Sequence, residues 1–176
     1  SKTGLKHIQA CSFVNTKLVP GWADAEKVVE SFDAHEDVEY TGLYFNGNGI
    51  DRALAFKDKL TISGSISLTA SEGFTKKNLN RTHAENMAAM ERHVMSHLEL
   101  GIPVNRIGVM AAFGCNYQGD ISPATVIKTL EDGMQIAAKT GAEITLFSLA
   151  DTMGWAAPHR IERVVGEVRN VWPDMT

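Results

Sequence analysis

The chain has only two cysteines in its 176 residues, Cys11 and Cys115. That is too few for a disulfide framework and suits a reducing compartment, although the count leaves a single bridge open. It also lacks any excess of basic charge: 17 Lys and Arg stand against 21 Asp and Glu, a net charge of -4 with a pI near 5.8. Without a positive stripe to hold a phosphate backbone, nucleic acid is not an expected partner. No apolar run approaches the length that spans a bilayer, and Ser1-Lys2-Thr3-Gly4 lacks the charged-then-apolar pattern of a signal peptide. The expectation is a soluble protein of the cytoplasm, or of the mitochondrial matrix in a eukaryote, with no membrane partner. Linkers, low-complexity segments and hairpin signals are missing as well. What is present, 44% hydrophobic residues, is enough for one domain over residues 1–176 built around a core.

Apolar periodicity then divides the chain into alternating strands and helices. Leu5 to Val14 reads as a strand, and Asp24 to His35 has helical spacing in Ala25, Val28, Val29 and Phe32. Val38 to Phe45 is a second strand, followed by a turn at Asn46-Gly47-Asn48-Gly49, a short helix to Lys57 and a third strand over Leu60 to Leu68. Ser71 to Asn80 reads as a polar loop. A helix from Thr82 to Leu100 follows, with Glu85 completing a capping box. A strand over Arg106 to Phe113 leads to a loop and then a helix that Ser122-Pro123 opens and Gly141 closes. Strand Glu143 to Leu149 and helix Pro158 to Val171 complete about five βα units. Strict alternation of this kind means an α/β fold with a parallel sheet, either doubly wound or part of a TIM barrel. Four of the five strands run into loops carrying polar residues or cysteine. Such a shared rim is the barrel's C-terminal face, so the expected fold is a partial TIM (β/α) barrel.

The rim loops carry the most specific pieces: Ala70-Ser71-Glu72 with Phe74-Thr75-Lys76-Lys77-Asn78, Gly114-Cys115 with Tyr117 and Gly119, and Asp151-Thr152 with Gly154 and Pro158. In this order on successive strands they resemble the hydroxymethylglutaryl-CoA lyase family of metal-dependent TIM-barrel lyases and aldolases, over nearly the whole chain. The resemblance places the chain at barrel strands two to six. It implies a retro-Claisen cleavage in which a tertiary hydroxyl is deprotonated, a carbon–carbon bond breaks and acetyl-CoA leaves as an enolate, with a keto acid as co-product. It also implies a divalent cation, magnesium or manganese. In the family that ion is held by residues of the first, seventh and eighth strands, which have no counterparts here, and the cysteine-bearing loop after the seventh strand is absent too. No metal ligand is therefore expected in this chain.

Carried over by motif, Asp151 and Ser148 match substrate-facing positions, and Gln9 stands where the family has a glutamate near the metal. Asn46, Thr152, Lys76, Lys77 and Asn78 are the expected contacts to substrate or coenzyme A, since flexible ammonium groups suit its phosphates. Each has a plainer reading. Asp151 can cap the following helix, Asn46 can serve an Asn-Gly turn, Gln9 can be a lone polar residue in a strand, and the lysines can be solvated surface. Ala150, where the family usually has glycine, and the bulky Trp155 depart from the pattern and alter the pocket. Cys115 is expected to be buried and inert. His93 and His97 have the spacing of a zinc pair but no third ligand, and the stripe Met87, Met90, Val94 and Leu98 leaves them on a solvated flank. The readings that follow are an acyl-CoA lyase segment of the hydroxymethylglutaryl-CoA lyase type, inactive alone; a lyase for a related substrate such as citramalyl-CoA; or a non-catalytic partial barrel that self-associates or takes a partner over its open sheet edges.

Overall fold

The computed structural model describes residues 4–44 and 47–176. The chain forms two compact units, Ser1–Ile62 and Ser63–Thr176. All paired strands run parallel, as the alternation requires.

In the first unit, strands β1 (His7–Ser12) and β2 (Glu39–Leu43) pair, and helix α1 (Ala25–Ser31) connects them in sequence. Cys11, Phe13, Val29, Tyr40, Ala53 and Leu60 form the core. Gly42 lets the Phe13 ring lie against the backbone, since a Cβ there would sit 2.6 Å from the ring. Helix α2 (Gly47–Leu54) takes in the glycines expected to form a turn. Packing overrides their weak propensity: Ile50 and Ala53 are buried, while Arg52 donates to Glu26 Oε2 and to the Val14 carbonyl, each at 3.0 Å. Asn46 lies outside the described residues.

The second unit is a three-stranded sheet, β3 (Gly64–Thr69), β4 (Val104–Met110) and β5 (Leu146–Leu149), in the order β3-β4-β5. Helices α3 (Glu72–Leu79), α4 (His83–Glu99), α5 (Pro123–Thr140) and α6 (Pro158–Val171) alternate with it. Ile66 and Leu68 of β3 and Ile107 and Val109 of β4 are fully buried in one cluster with Val94 of α4, Val126, Leu130 and Ile136 of α5, and Val164 and Val168 of α6. Each such side chain contributes about 1.5–3 kcal/mol on burial.

The expected helix ends hold where capping chemistry was legible. Thr82 and Glu85 make the reciprocal capping box, Ser122 accepts from Thr125 N–H ahead of Pro123, and Gly141 ends α5 in the left-handed region at φ 80°. Residues 72–79, read as loop, are helical. Ser71 accepts from the Phe74 amide as N-cap, Glu72 lies in the first turn, the two lysines lie in the last, and Asn80 closes the helix at φ 51°. Caps and charges suited to the helix dipole outweigh Gly73 and the polar composition.

His97 also differs from expectation: it is fully buried rather than solvated. It lies three residues beyond Val94 and seven beyond Met90, on the core-facing stripe. Gly64 makes the space, because a Cβ there would fall 2.9 Å from the His97 ring. His97 Nδ1 donates to the His93 carbonyl at 2.8 Å, and the two rings stand 4.0 Å apart. Burial, and then the neighbouring His97, push the His93 pKa down to about 4; burial lowers that of His97 as well.

Two predictions follow from this packing. Both histidines have lowered pKa values in the folded unit but protonate in the unfolded chain below about pH 6.5, so the stability they contribute is fully present above that pH and is lost as the pH falls through their folded values, about 4 for His93. Chemical denaturation should show a loss of about 2 kcal/mol between pH 6.5 and 5, with a shallower slope in His93→Gln. Gly133→Ala, normally stabilising in a helix, should instead lower the melting temperature by about 2–4 °C, since the new Cβ would meet buried Ile107 at 2.8 Å.

Candidate functional site

The ends of β3, β4 and β5 define a rim in the second unit. After β3, Ser71 and Cys115 are both fully buried, with Oγ and Sγ 2.9 Å apart. The Ser71 hydroxyl accepts from Phe74 N–H and has its own proton to offer the sulfur. Cys115 is thus enclosed, as expected for a structural thiol.

After β4 the backbone makes a strained turn. Ala111, fully buried, adopts a left-handed φ of 55°, a conformation that costs a residue with a Cβ about 1–2 kcal/mol. Its amide donates to Thr152 Oγ1 at 2.8 Å, which ties the β4 and β5 loops together. Gly114 has φ 145° and lies against the Trp155 indole, where a Cβ would be 2.8 Å from the ring. The Trp155 Nε1 donates to Asn116 Oδ1 at 2.9 Å. The bulky tryptophan is therefore seated on a glycine and fills the space between two rim loops.

After β5, Asp151 turns back on its own loop. Its Oδ1 accepts from the Trp155 amide at 2.8 Å and its Oδ2 from the Ala156 amide at 3.1 Å. The carboxylate organises residues 151–156, whereas the cap of α6 is Ala157 with no side-chain bond. Asp151 and Thr152, both expected to face substrate, thus hold the rim in shape.

Ser148 has a different setting. It lies across from Gly108 of β4, which lies across from Ser67 of β3. One step back along the strands, Ser65 pairs with Arg106. Since alternate residues share a face, these side chains occupy the side of the sheet opposite Ile66, Leu68, Ile107 and Val109. There Ser65, Ser67, Arg106, Gly108, Ser148 and Ala150 line a recess of about 200 Å³ with Val109 and Met110. Of this group Ser148 is legible in the sequence as a site residue and Ala150 as a departure from the family pattern, whereas Arg106 and Gly108 lie inside a stretch that reads as strand. The available signal was an arginine and a glycine interrupting the apolar run Val104-Asn105-Arg106-Ile107-Gly108-Val109.

Lys76, Lys77 and Asn78 are exposed on α3. Gln9 is exposed in β1 of the first unit, paired with Thr41. Among the described residues no three His, Cys, Asp or Glu side chains converge on a point that could hold a metal ion, so the divalent cation implied by the family resemblance finds no complete ligand set. No described helix is long and apolar enough to cross a membrane.

Asp151→Ala should release the 151–156 loop. A fall in stability of about 1–2 kcal/mol and a shift in Trp155 fluorescence are expected, with Asp151→Asn, which keeps one acceptor, giving roughly half the loss.

No family model matches the chain. Individual proteins do. It is 33% identical over 174 residues to the cytoplasmic 3-hydroxy-3-methylglutaryl-CoA lyase of Homo sapiens, covering 98% of this chain and 44% of that protein. It is also 33% identical over 169 residues to the mitochondrial hydroxymethylglutaryl-CoA lyase of Bos taurus, covering 96% and 49%. Among solved structures, the HMG-CoA lyase of Bacillus subtilis superposes with a TM-score of 0.78 at 27% identity, over 98% of this chain and 54% of that one. The enzyme from Acinetobacter baumannii, in complex with coenzyme A and 3-methylmalate, gives 0.73 at 29% identity, over 94% and 51%. The chain spans about half the length of the curated relatives it matches. Its fold is accordingly a partial TIM barrel, and over nearly all its residues the chain is a relative of the hydroxymethylglutaryl-CoA lyases.

Proposed function

We propose that this chain is the acyl-CoA-recognising portion of a carbon–carbon lyase of the hydroxymethylglutaryl-CoA lyase type. The observation that carries the reading is the match to these lyases along nearly the full chain, together with a polar recess on the sheet face turned away from its helices. In the reaction, the tertiary hydroxyl loses its proton, and the adjacent carbon–carbon bond breaks as the C=O of the keto acid forms. The bonding pair passes to the thioester's α-carbon as an enolate, which takes a proton to become acetyl-CoA. Charge moves from the alkoxide oxygen to the thioester oxygen, so fixed donors at either position lower the barrier.

Within this chain, Ser148 offers a hydroxyl to the bound acyl group, and Asp151 and Thr152 hold the rim around it. Lys76, Lys77 and Asn78 present two cations and an amide from α3 to the phosphates of coenzyme A. Gln9 and Asn46 are further substrate contacts, with the Gln9 amide keeping hydrogen-bonding capacity but no charge. The described residues supply no complete site for the cation that the reaction type implies. Turnover by this chain alone is therefore not expected. A citramalyl-CoA-type substrate is the closest variant, supported by Gln9 and by Ala150 in the lining of the recess.

A non-catalytic assembly role has its own support: β5 ends the second unit's parallel sheet, on the side where the family's seventh strand would pair, and such edges tend to pair with another chain. Sedimentation should then show self-association, and a stable monomer at high concentration counts against this role.

With Mg²⁺ or Mn²⁺ present, the 176-residue chain should bind coenzyme A yet release no acetyl-CoA from hydroxymethylglutaryl-CoA. Lys76→Gln/Lys77→Gln should weaken coenzyme A binding by about tenfold and reduce its salt dependence. Metal-dependent acetyl-CoA release would overturn the view that this chain lacks a complete centre.

A further inference from the structure

Helix α5 carries a charge where its packing calls for an apolar side chain. Asp132 is buried on α5 together with Thr129, Leu130, Gly133 and Ile136, and its side chain is 12% exposed. Its Oδ2 accepts at 2.9 Å from Nε2 of His83, the first residue of α4, and its Oδ1 accepts from Lys128, one turn earlier on its own helix. Another ion pair between α4 and α5, Lys139 with Glu91 at 3.3 Å, is open to solvent, the kind that adds little to stability. Stability does not explain the buried pair either. Taking a carboxylate out of water costs much of what its partners return, and an apolar pair of similar volume is often neutral or stabilising in its place. What such a pair does fix is geometry, since its short bond forms only at one placement of the two helices.

The end of α4 fixed in this way adjoins α3. Helix α3 buries only Thr75, and Lys76, Lys77 and Asn78 are exposed, so side-chain packing gives it little hold and its two ends supply the rest. At the first end, Ser71 caps the helix and contacts Cys115, while Gly73 lies against Tyr117, where a Cβ would be 2.9 Å from the side chain. At the second, Asn80 closes α3 at φ 51°, exposed Arg81 and Thr82 follow, and the next residue is His83. With two residues between the cap and the clasp, the His83–Asp132 bond sets where α3 ends.

We infer that His83 and Asp132 are positioning residues, whose bond between α4 and α5 anchors the far end of α3 and so holds Lys76, Lys77 and Asn78 in place for an anionic ligand. The inference rests on the reading of those three residues as coenzyme A contacts and adds what orients them. Lysine side chains lose freedom on meeting a phosphate, and a helix already fixed at both ends spares the further cost of ordering its backbone.

Hydrogen exchange and calorimetric titration with coenzyme A test this on the full chain, with His83→Leu/Asp132→Leu as the variant. The apolar pair should leave the melting temperature within about 2 °C or raise it. The amides of Lys76, Lys77 and Asn78 should nevertheless exchange about tenfold faster, with those of Ile107 and Val126 unchanged, and coenzyme A affinity should fall about fivefold. His83→Gln, which keeps an N–H donor, should retain most of both. Added to Lys76→Gln/Lys77→Gln, the apolar pair should cost no further affinity, a result that general loosening of the fold would not give. Unchanged exchange in α3 overturns the inference, as does an equal loss of affinity in the background without the two lysines. If the unaltered chain binds no coenzyme A, the acyl-CoA reading fails, and the exchange rates alone then decide whether the clasp positions α3.

Discussion

The second unit depends on one constraint, the burial of Ile66, Leu68, Ile107 and Val109 against α4, α5 and α6. In a strand, successive side chains alternate between faces, so packing these four against the helices fixes what the other face carries. A slip of one residue in β3 would exchange Ile66 and Leu68 for Ser65 and Ser67, exposing two large apolar side chains. The same hydrophobic term that folds the sheet thus aligns Ser67, Gly108 and Ser148 laterally across three strands. The recess is a by-product of the core.

The rim above it is held by short-range polar geometry. Thr152 ties the β5 loop to the strained Ala111 amide, Asp151 closes its own loop on two amides, and Trp155 is seated on Gly114 and bonded to Asn116. Residues at positions that resemble substrate contacts in the lyase family here build the frame around a site. Ala150 and Trp155, the two departures from the family pattern, fall on opposite sides of that frame: Ala150 in the recess lining, Trp155 between the loops.

What the sequence made legible follows the strength of each local signal. The βα alternation, the Thr82–Glu85 capping box and the Ser122-Pro123 start with its Gly141 stop were readable because period and cap chemistry act within a few residues. The helix at Glu72–Leu79 was hidden by its polar composition, although Ser71 and Asn80 are caps of the same kind. His97 and Gly64 could not be read singly, since the buried ring needs a missing Cβ supplied 33 positions earlier in the chain. Arg106 and Gly108 carry no loop motif, since they sit inside a strand. Gln9 and Ser148 were identified by position within the family pattern, Ser148 in a recess and Gln9 in the other compact unit.

The central claim is that the second unit presents an acyl-CoA surface running from α3 across the ends of β3 to β5. Backbone amide NMR of the chain during titration with acetyl-CoA tests it most directly. Shifts concentrated at Lys76, Lys77 and Asn78, at Ser67 and Gly108, and at Ser148 to Thr152 are expected, with the helix-facing Ile66, Ile107 and Val126 unmoved. Shifts confined to the α5–α6 side, or no shift at saturating ligand, would contradict it.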